Sequence, residues 1–471
     1  MRAVVAATVG LLCLGTPAAL RAARPAVVRL AVTPATALLD EPVVVRVSGL
    51  RPGQDVVVRS STRDADEREW NAEASFRADA KGVVDLSTQA AASGSYIGVD
   101  AMGLFWSARP VTPVVPSPPP EGQAAMARMR QPPTALALPR PVAGTLETRL
   151  EAIVDGQVVA ATTLTRQITT DDINVTEVKE DGLVGRLYEP SGTRHPAVLV
   201  LSGSNGGIQP TYASVLAGRG YVTFALAYFR AEGLPKDLVE IPLEYFRSGI
   251  EWLRARPSVD PERIAVLGIS KGGELSLLLG ATWPQVKAVV ALSPSSVVWE
   301  GAVRDPAKSG LDAMKPGRSS WSLDGEPLPF LPKVASPELM ARIAAGERFR
   351  GIELNPASAL DQPEAAAATI PVEKIRGPVL LVSSRDDGMW PATVMSDRVV
   401  ERLRASGFAH PVEHLHYESC AHGLPDAWLP PAYGGTLGGT AEGTMRAYGD
   451  YWPKVKAFLD RAIGPAIARK R

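Results

Sequence analysis

Cysteine is almost absent from this chain: Cys13 and Cys420 are the two cysteines among 471 residues. We predict that Cys13 is removed with an N-terminal leader, which leaves one thiol and excludes an intramolecular disulfide. The mature fold must therefore be held together by its hydrophobic cores. A hydrophobic content of 45% is ample for that purpose.

An excess of charge of either sign is also missing, since 50 Lys and Arg residues balance 50 Asp and Glu residues. A neutral balance gives no electrostatic argument for nucleic acid or for an anionic membrane surface. The sequence also lacks metal-ligand spacings, a dinucleotide fingerprint and, beyond its start, an apolar run long enough to span a bilayer. We expect a small-molecule substrate, no metal, no cofactor and no required protein partner.

The N-terminus has the pattern of a secretory signal peptide. Met1-Arg2 supplies a positive charge, residues 3–15 are apolar, and Thr16-Pro17-Ala18 offers small residues for cleavage. This pattern predicts a signal peptide over residues 1–23 and a periplasmic or secreted protein. The alternatives are an unstructured tail or a membrane anchor, and a cytoplasmic protein if no signal is present.

Short runs of β-branched residues separated by turns fill the first part of the chain, for example residues 43–47 and 56–59. They predict a small β-sandwich domain over residues 24–170. Ten prolines between Pro110 and Pro141 exclude regular helix and central strand there. We interpret residues 110–141 as an exposed extended loop; a polyproline ligand for a partner is the alternative.

From about residue 175 onwards, buried strands alternate with helices. This rhythm predicts a doubly wound, mostly parallel sheet over residues 175–471, with the domain boundary near residues 168–178. The predicted strands are 197–201, 221–227, 264–267, 286–292 and 379–383, and the predicted helices are 212–219 and 243–256.

A strand, a sharp turn and a helix meet at Gly268-Ile269-Ser270-Lys271-Gly272. A serine at the apex of such a turn, with glycines two residues before and after it, is typical of the nucleophile elbow of α/β-hydrolases. The alternative is a glycine-rich connection that carries a surface serine. We predict that Ser270 is a catalytic nucleophile.

A serine nucleophile needs a histidine base, and the base needs an acid that follows the serine and precedes the histidine in this fold. Of five histidines, His422 lies in the loop after the last strand, where the base belongs. The acid is expected after the strand 379–383, at Asp386 or Asp387. Pro391 lies four residues after Asp387, as in a turn common at this position, so we favour Asp387 and interpret Asp386 as a turn residue.

The oxyanion formed by attack requires fixed N–H donors. We predict the amide of Lys271, directly after the nucleophile, and an amide of the loop 202–207, either Ser204 or Asn205, with Ser204 preferred. That loop lacks the Gly-Lys-Ser/Thr ending of a phosphate-binding loop. The side chain of Lys271 is interpreted as solvated, with only its amide taking part.

Residues 297–372 interrupt the alternation of strands and helices. They include Trp299, Trp321 and a predicted helix at 337–345. An insertion at this point can cover the active site and line an acyl pocket. Surface decoration with a small core of its own is the alternative.

With these residues in place, the chain resembles the family of acyl-CoA thioesterases and bile acid-CoA:amino acid N-acyltransferases. The matching motifs extend over nearly the whole mature chain and include Leu39-Asp40-Glu41-Pro42, Gly49-Leu50-Arg51-Pro52, Asp100-Ala101-Met102-Gly103-Leu104-Phe105-Trp106, Ala225-Leu226-Ala227-Tyr228-Phe229, Gly268-Ile269-Ser270-Lys271-Gly272-Gly273-Glu274 and Gly438-Gly439-Thr440. The resemblance implies an Ig-like β-sandwich followed by an α/β-hydrolase with the triad Ser270, Asp387 and His422.

The expected function is that of a serine hydrolase that cleaves an acyl thioester or ester through an acyl-serine intermediate, in acyl-CoA and fatty acid metabolism by resemblance. Family members that transfer acyl groups to amino acids typically carry cysteine where this chain has Ser270, which favours hydrolysis. The alternatives are an exported carboxylesterase or lipase-like enzyme, an N-acyltransferase, and a non-catalytic binding protein.

Overall fold

The computed structural model describes residues 27–112, 144–303, 317–345 and 347–465. The predicted signal peptide and residues 113–141 of the predicted proline-rich loop lie outside the described residues. No helix in the described ranges has the length and apolar character needed to cross a membrane.

In its described residues, 27–112 and 144–167, the N-terminal part has ten strands and one short helix. They are β1 (Arg29–Thr33), β2 (Thr36–Leu38), β3 (Val44–Ser48), β4 (Asp55–Arg63), β5 (Glu69–Arg77), β6 (Val84–Asp85), β7 (Ser93–Gly94), α1 (Gly103–Trp106), β8 (Arg109–Pro110), β9 (Thr145–Val154) and β10 (Gln157–Gln167).

These strands form two sheets, one with the order β1-β3-β6 and one with the order β2-β10-β9-β4-β5-β7, in which β8 also pairs with β5. All pairs are antiparallel except the one between β2 and β10. In β4 and β5 every second side chain is buried, as the two-residue period of a half-exposed strand requires. The predicted β-rich first domain is confirmed.

The C-terminal part alternates strands with helices and short 3₁₀ turns. Its elements are β11 (Ile173–Glu180), β12 (Leu183–Pro190), β13 (His195–Leu201), α2 (Pro210–Ala217), β14 (Val222–Ala227), β15 (Ile241–Pro242), α3 (Leu243–Arg254), β16 (Val259–Ile269), α4 (Lys271–Thr282), β17 (Ala288–Leu292), β18 (Trp321–Leu323), β19 (Glu326–Pro327), α5 (Pro337–Ala344), 3₁₀ turns at Gly351–Glu353 and Ala357–Asp361, α6 (Pro363–Ala368), a 3₁₀ turn at Val372–Lys374, β20 (Val379–Ser384), α7 (Ala392–Ala405), β21 (Val412–Tyr417) and α8 (Ala441–Ile463).

Eight of these strands form one sheet in the order β11-β12-β14-β13-β16-β17-β20-β21. The first two pairings are antiparallel and the remaining five are parallel. Strands β13, β14, β17 and β20 are buried along their whole length, which explains their continuous apolar sequences. The predicted doubly wound fold is confirmed.

Helices cover both faces of this sheet. Apolar residues of α3, α4 and α7 share one hydrophobic cluster with the sheet. Residues of α2 and α8 share another, and that cluster continues without a break into the interior of the N-terminal sheets. The two parts of the chain therefore bury apolar surface against each other.

A buried carboxylate, that of Asp40, fastens the N-terminal part to α2 and α8. It accepts hydrogen bonds from Arg219 Nη2 at 3.1 Å, Lys456 Nζ at 2.8 Å and Trp452 Nε1 at 3.0 Å. Burial alone would raise the pKa of Asp40, but the charges of Lys456 and Arg219 outweigh it and hold that pKa below its ordinary value. The folded protein therefore stabilises the ionised form of Asp40.

Candidate active site

Ser270 occupies a strained turn between β16 and α4. Its φ angle is +58°, a left-handed backbone conformation that residues other than glycine rarely adopt. A Cβ atom on Gly268 would lie 2.2 Å from Gly272 O, and one on Gly272 would lie 2.5 Å from Ser202 O. The two flanking glycines are therefore required by the close approach of backbone around the serine.

Three predicted residues meet in one hydrogen-bonded chain. Ser270 Oγ lies 2.8 Å from His422 Nε2, and His422 Nδ1 lies 2.7 Å from Asp387 Oδ2. They follow the carboxyl ends of β16, β20 and β21, and these ends lie at the same edge of the sheet because the three strands are parallel. An Nδ1–H donated to Asp387 leaves Nε2 as the acceptor for the serine proton.

Asp387 is oriented by its own turn. Its second oxygen, Oδ1, accepts hydrogen bonds from the amides of Met389 at 2.7 Å and Trp390 at 3.2 Å. The Trp390 ring also meets the His422 ring edge to face, with 5.6 Å between ring centroids. Asp386 points elsewhere: its Oδ2 accepts from the Gly439 amide at 3.0 Å.

The other histidines lie away from this chain of hydrogen bonds. His195 is buried at the start of β13 and bonds backbone carbonyls. His414 on β21 belongs to a second Ser–His–Asp chain, with 2.8 Å from Ser383 Oγ to His414 Nε2 and 3.2 Å from His414 Nδ1 to Asp397 Oδ1. The Ser383 side chain is completely buried within β20, so a substrate carbonyl cannot reach it.

The thiol of Cys420 lies two residues before His422 and is also buried. Burial, together with the nearby Asp387 charge, raises the pKa of Cys420 to about 12. The sulfur therefore remains a neutral thiol near pH 7 and is a poor nucleophile.

The two predicted oxyanion donors border Ser270. Lys271 is the first residue of α4, a position whose N–H has no acceptor within the helix. The loop after β13 passes close to Ser270, because a Cβ on Gly203 would lie 3.1 Å from Ser270 Cβ. Ser204 and Asn205 follow Gly203 and line the same cavity as Ser270.

The interpretation of the Lys271 side chain as solvated is wrong. Its ammonium group is buried, donating to Glu274 Oε1 at 2.7 Å and to Trp299 O at 3.0 Å. Trp321 Nε1 donates to the same Glu274 oxygen at 2.7 Å. Burial lowers the pKa of Lys271 and raises that of Glu274, while their mutual attraction opposes both shifts.

This network ties the insertion to the nucleophile turn, since Trp299 and Trp321 belong to the segment 297–372. The segment also has an apolar cluster of its own, in which Val297, Trp299 and Leu331 pack with Trp390 of the hydrolase domain. It lines the cavity as well, through Trp299, Lys333 and Asn355. The insertion thus combines features of both interpretations made from its sequence.

A cavity of about 610 Å³ opens at Ser270 and His422, within the size range of small-molecule sites. Its lining is mainly apolar and includes Leu238, Trp299, Ala302, Val303, Met389, Trp390, Leu429 and Leu437. Among the described residues, no group of three or more His, Cys, Asp or Glu side chains is arranged to hold a metal ion.

Sequence reasoning missed three features of this site. The Lys271–Glu274 pair could have been found from its three-residue helical spacing, but its burial depends on the distant Trp299 and Trp321. No motif or spacing in the sequence indicates that Trp390 belongs to the site. Asp426, which also lines the cavity, lies in a loop whose course the sequence does not determine.

The eight-stranded sheet, the strained serine turn and the hydrogen-bonded Ser270, His422 and Asp387 together define an α/β-hydrolase. Residues 40–180 match the family model described as the acyl-CoA thioester hydrolase/BAAT N-terminal region. Residues 241–465 match the model described as the BAAT/acyl-CoA thioester hydrolase C-terminal region. The chain belongs to the acyl-CoA thioester hydrolase/BAAT family.

Curated relatives extend over nearly the whole chain. The mitochondrial acyl-coenzyme A thioesterase 2 of Mus musculus is 26% identical over 90% of this chain and 87% of its own length. Acyl-coenzyme A thioesterase 6 of the same species is 28% identical over 90% and 94%. The mouse peroxisomal succinyl-coenzyme A thioesterase is 26% identical over 91% and 95%.

Among solved structures, an esterase of Pyrobaculum calidifontis matches 62% of this chain and 86% of its own chain at 16% identity, with a TM-score of 0.38.

Proposed function

We propose that this protein is a serine acyl hydrolase that cleaves acyl-CoA thioesters through an acyl-Ser270 intermediate. The observation that carries the proposal is the hydrogen-bonded chain from Ser270 through His422 to Asp387, at a strained turn that opens into an apolar cavity. Membership of a family whose curated relatives are acyl-CoA thioesterases supports the choice of substrate.

In the acylation step, Ser270 Oγ attacks the thioester carbonyl while His422 Nε2 takes the hydroxyl proton. Asp387 holds the imidazole in the required tautomer and stabilises the imidazolium. The negative oxygen of the tetrahedral intermediate accepts hydrogen bonds from the amides of Lys271 and Ser204. Collapse of the intermediate breaks the carbon–sulfur bond, and His422 returns its proton to the leaving sulfur.

In the deacylation step, a water molecule gives a proton to His422 and attacks the acyl-serine carbonyl. The second tetrahedral intermediate releases the free acid, and the proton returns from His422 to Ser270 Oγ. An acyl-serine is an oxyester and reacts more slowly with amines than a thioester does. Water is therefore the favoured acceptor over an amino acid.

We also propose that the mature protein acts outside the cytoplasm, because residues 1–23 have the pattern of a signal peptide. CoA thioesters are scarce there, so an exported carboxylesterase is the second candidate function. N-terminal sequencing of the purified native protein and cell fractionation test the export proposal. An uncleaved N-terminus and a cytoplasmic fraction would exclude it.

The deciding experiment compares kcat/KM for acyl-CoA esters and for oxyesters with the same acyl chains, using Ser270→Ala as the blank. We expect acyl-CoA to be the better substrate at every shared chain length. Oxyester turnover without CoA preference would support the exported esterase. Product that partitions to an N-acyl amine as amine is added would support acyl transfer.

A fluorophosphonate probe separates these enzymes from a non-catalytic binding protein. The proposal requires stoichiometric labelling that Ser270→Ala abolishes. A folded wild-type protein that the probe does not label, and that cleaves none of the esters, would exclude catalysis.

A further inference from the structure

Asp426 is a carboxyl group in the wall of the cavity that the proposed mechanism does not use. It lies four residues after His422 and borders the same cavity as Ser270. Its Oδ2 accepts a hydrogen bond from Gln209 Nε2 at 3.2 Å. The groups that stabilise its ionised form, Gln209, the Thr211 hydroxyl and its own amide, are all neutral.

No cation within the described parts of the chain is paired with this carboxylate. Asp426 is half-buried. Of the fully buried carboxylates at the site, Glu274 is paired with Lys271 and Asp387 with His422, whereas Glu300 accepts hydrogen bonds from the backbone amides of Gly317 and Lys333. Burial raises the pKa of Asp426 to about 6. An unpaired carboxyl in a partly apolar cavity is costly for folding, which marks it as a candidate for a functional role.

The backbone on both sides of Asp426 is fixed. Leu424 O accepts a hydrogen bond from the buried Tyr212 hydroxyl at 2.6 Å, and Pro425 O accepts one from the Tyr451 hydroxyl. On the other side, the Trp428 amide donates to Leu39 O of the N-terminal domain at 3.1 Å. The carboxylate is thus held in place before a substrate arrives, which reduces the entropic cost of binding to it.

Gln209 adds a second polar group beside it. Its Nε2 is directed to Asp426, which leaves its Oε1 as an acceptor, and Gln209 also lines the cavity. Two fixed acceptors in an otherwise mainly apolar lining are suited to a substrate group that donates a hydrogen bond. A substrate anion would instead be repelled by the carboxylate.

We propose that Asp426 and Gln209 form a polar subsite that binds a neutral hydrogen-bond donor of the substrate, either an amide N–H or a hydroxyl. The proposal rests on the proposed function, because it places that donor on an ester bound at Ser270. An amide N–H comes from the pantetheine-like arm of the leaving group. A hydroxyl comes from a substituted acyl chain.

The leaving-group source is tested with two octanoyl thioesters that differ at one position. In S-octanoyl-N-acetylcysteamine the arm carries an amide N–H, and in the octanoyl thioester of 2-mercaptoethyl acetate an ester oxygen replaces it. If the arm binds the subsite, Asp426→Ala lowers the amide-to-ester ratio of kcat/KM about tenfold, the loss expected for a hydrogen bond to a charged group.

The acyl source is tested with ω-hydroxyoctanoyl and octanoyl thioesters of one leaving group. A tenfold fall in the hydroxyl-to-methyl ratio in Asp426→Ala assigns the subsite to the acyl chain. Asp426→Asn keeps an acceptor oxygen of the same shape and is expected to retain part of whichever ratio changes. Asp361→Ala, which removes a carboxylate that is 72% exposed, is the matched control and should alter neither ratio.

Equal losses on all four substrates, or no loss on any, would overturn the proposal, since Asp426 would then only brace its loop. If the wild-type protein hydrolyses none of them, the proposed function fails, and binding decides the subsite separately. Calorimetry then measures Kd for the matching non-hydrolysable thioethers on Ser270→Ala and on Ser270→Ala with Asp426→Ala. Asp426→Ala must change the ratio of the two Kd values about tenfold within one pair of thioethers. An unchanged ratio in both pairs would overturn the subsite as well.

Discussion

Two Ser–His–Asp chains lie along the same sheet of this molecule, and their serine–histidine hydrogen bonds are equal in length. Ser270 and Ser383 are each 2.8 Å from a histidine Nε2. Ser270 stands on a turn with a positive φ angle, borders a cavity and is followed by the first amide of a helix. Ser383 lies inside a regular strand and is fully enclosed.

Under the proposed function, a hydrogen-bonded chain of these residue types does not by itself make a hydrolytic site. The proposed mechanism also needs the strained turn to present the oxygen atom, the helix start to supply a donor and the cavity to admit a carbonyl group. The enclosed chain has none of these three features and serves to join β20, β21 and α7. Variants of matched residues in the two chains put this comparison to the test.

The largest contrast is expected at the serines. Ser270→Ala should lower kcat by roughly 10⁴- to 10⁶-fold, because the nucleophile is lost, while Ser383→Ala should stay within about twofold. Steady-state hydrolysis of one acyl thioester measures both variants. Comparable losses in the two variants would show that Ser270 has no special role.

The acids give a slightly smaller contrast. Asp387→Asn is expected to lower kcat about 10⁴-fold, because the histidine tautomer is no longer fixed, whereas Asp397→Asn should have little effect. Asp386→Asn serves as the neighbouring control, since Asp386 bonds the Gly439 amide rather than His422. A larger loss from Asp386→Asn than from Asp387→Asn would reverse the assignment of the acid.

The buried ion pair Lys271–Glu274 lies next to Ser270. Lys271→Met leaves the Glu274 carboxylate unpaired and should lower the free energy of unfolding by about 3–5 kcal/mol. Lys454→Met breaks an exposed pair of the same 2.7 Å length and should cost less than about 1 kcal/mol. Urea denaturation measures both, and equal losses would mean that burial of the pair is unimportant.

Glu274→Gln in the Lys271→Met background removes the unpaired charge and keeps an acceptor for Trp321 Nε1. Most of the lost stability should return in this double variant. If it does not, the loss in the single variant comes from packing of the lysine stem rather than from charge.

The smallest effect concerns the pH dependence of the enclosed chain. Burial lowers the pKa of His414 below its ordinary 6.5; the charges of His416 and Arg385 act in the same direction, and Asp397 opposes them. The unfolded chain therefore takes up this proton first, so stability is full above pH 6.5 and declines as the pH falls towards the folded-state pKa.

His414→Gln should reduce the fall in Tm between about pH 7.5 and about pH 5, a range on both sides of the ordinary histidine pKa. It should leave kcat at neutral pH unchanged. Differential scanning of wild type and variant at matched pH values measures this difference. An unchanged slope would show that His414 is not the titrating group.

The sequence was sufficient for those parts of the molecule that local chemistry dictates. Glycines around Ser270, a continuous apolar strand before it and the order of serine, acid and histidine allowed the fold class to be predicted, and the structure confirms it. They also allowed the candidate site residues to be named, and the structure brings three of them together. Each of these inferences uses residues within a few positions of one another or a fixed order along the chain.

The rest depends on contacts between distant segments. The sequence predicts a solvated Lys271 side chain, because nothing near it in sequence shows that Trp299 and Trp321 enclose it. Polar residues alternate along β21, the strand that carries His414, as they do in a strand at the surface. Asp397 reaches His414 because α7 packs against this strand. The hairpin of β11 and β12 carries the exposed Val175 and several charged residues, so the sequence does not indicate two strands of the large sheet here.

Asp40 and the hydrophobic cluster around it carry a consequence for anyone who wishes to shorten this protein. A truncated chain that starts near residue 175 would present to water the apolar faces of α2 and α8 that the N-terminal sheets cover. It would also leave Arg219, Lys456 and the Trp452 N–H without their common acceptor. We therefore expect the N-terminal and C-terminal parts to unfold together, so that transfer of the proposed active site to another protein would require both.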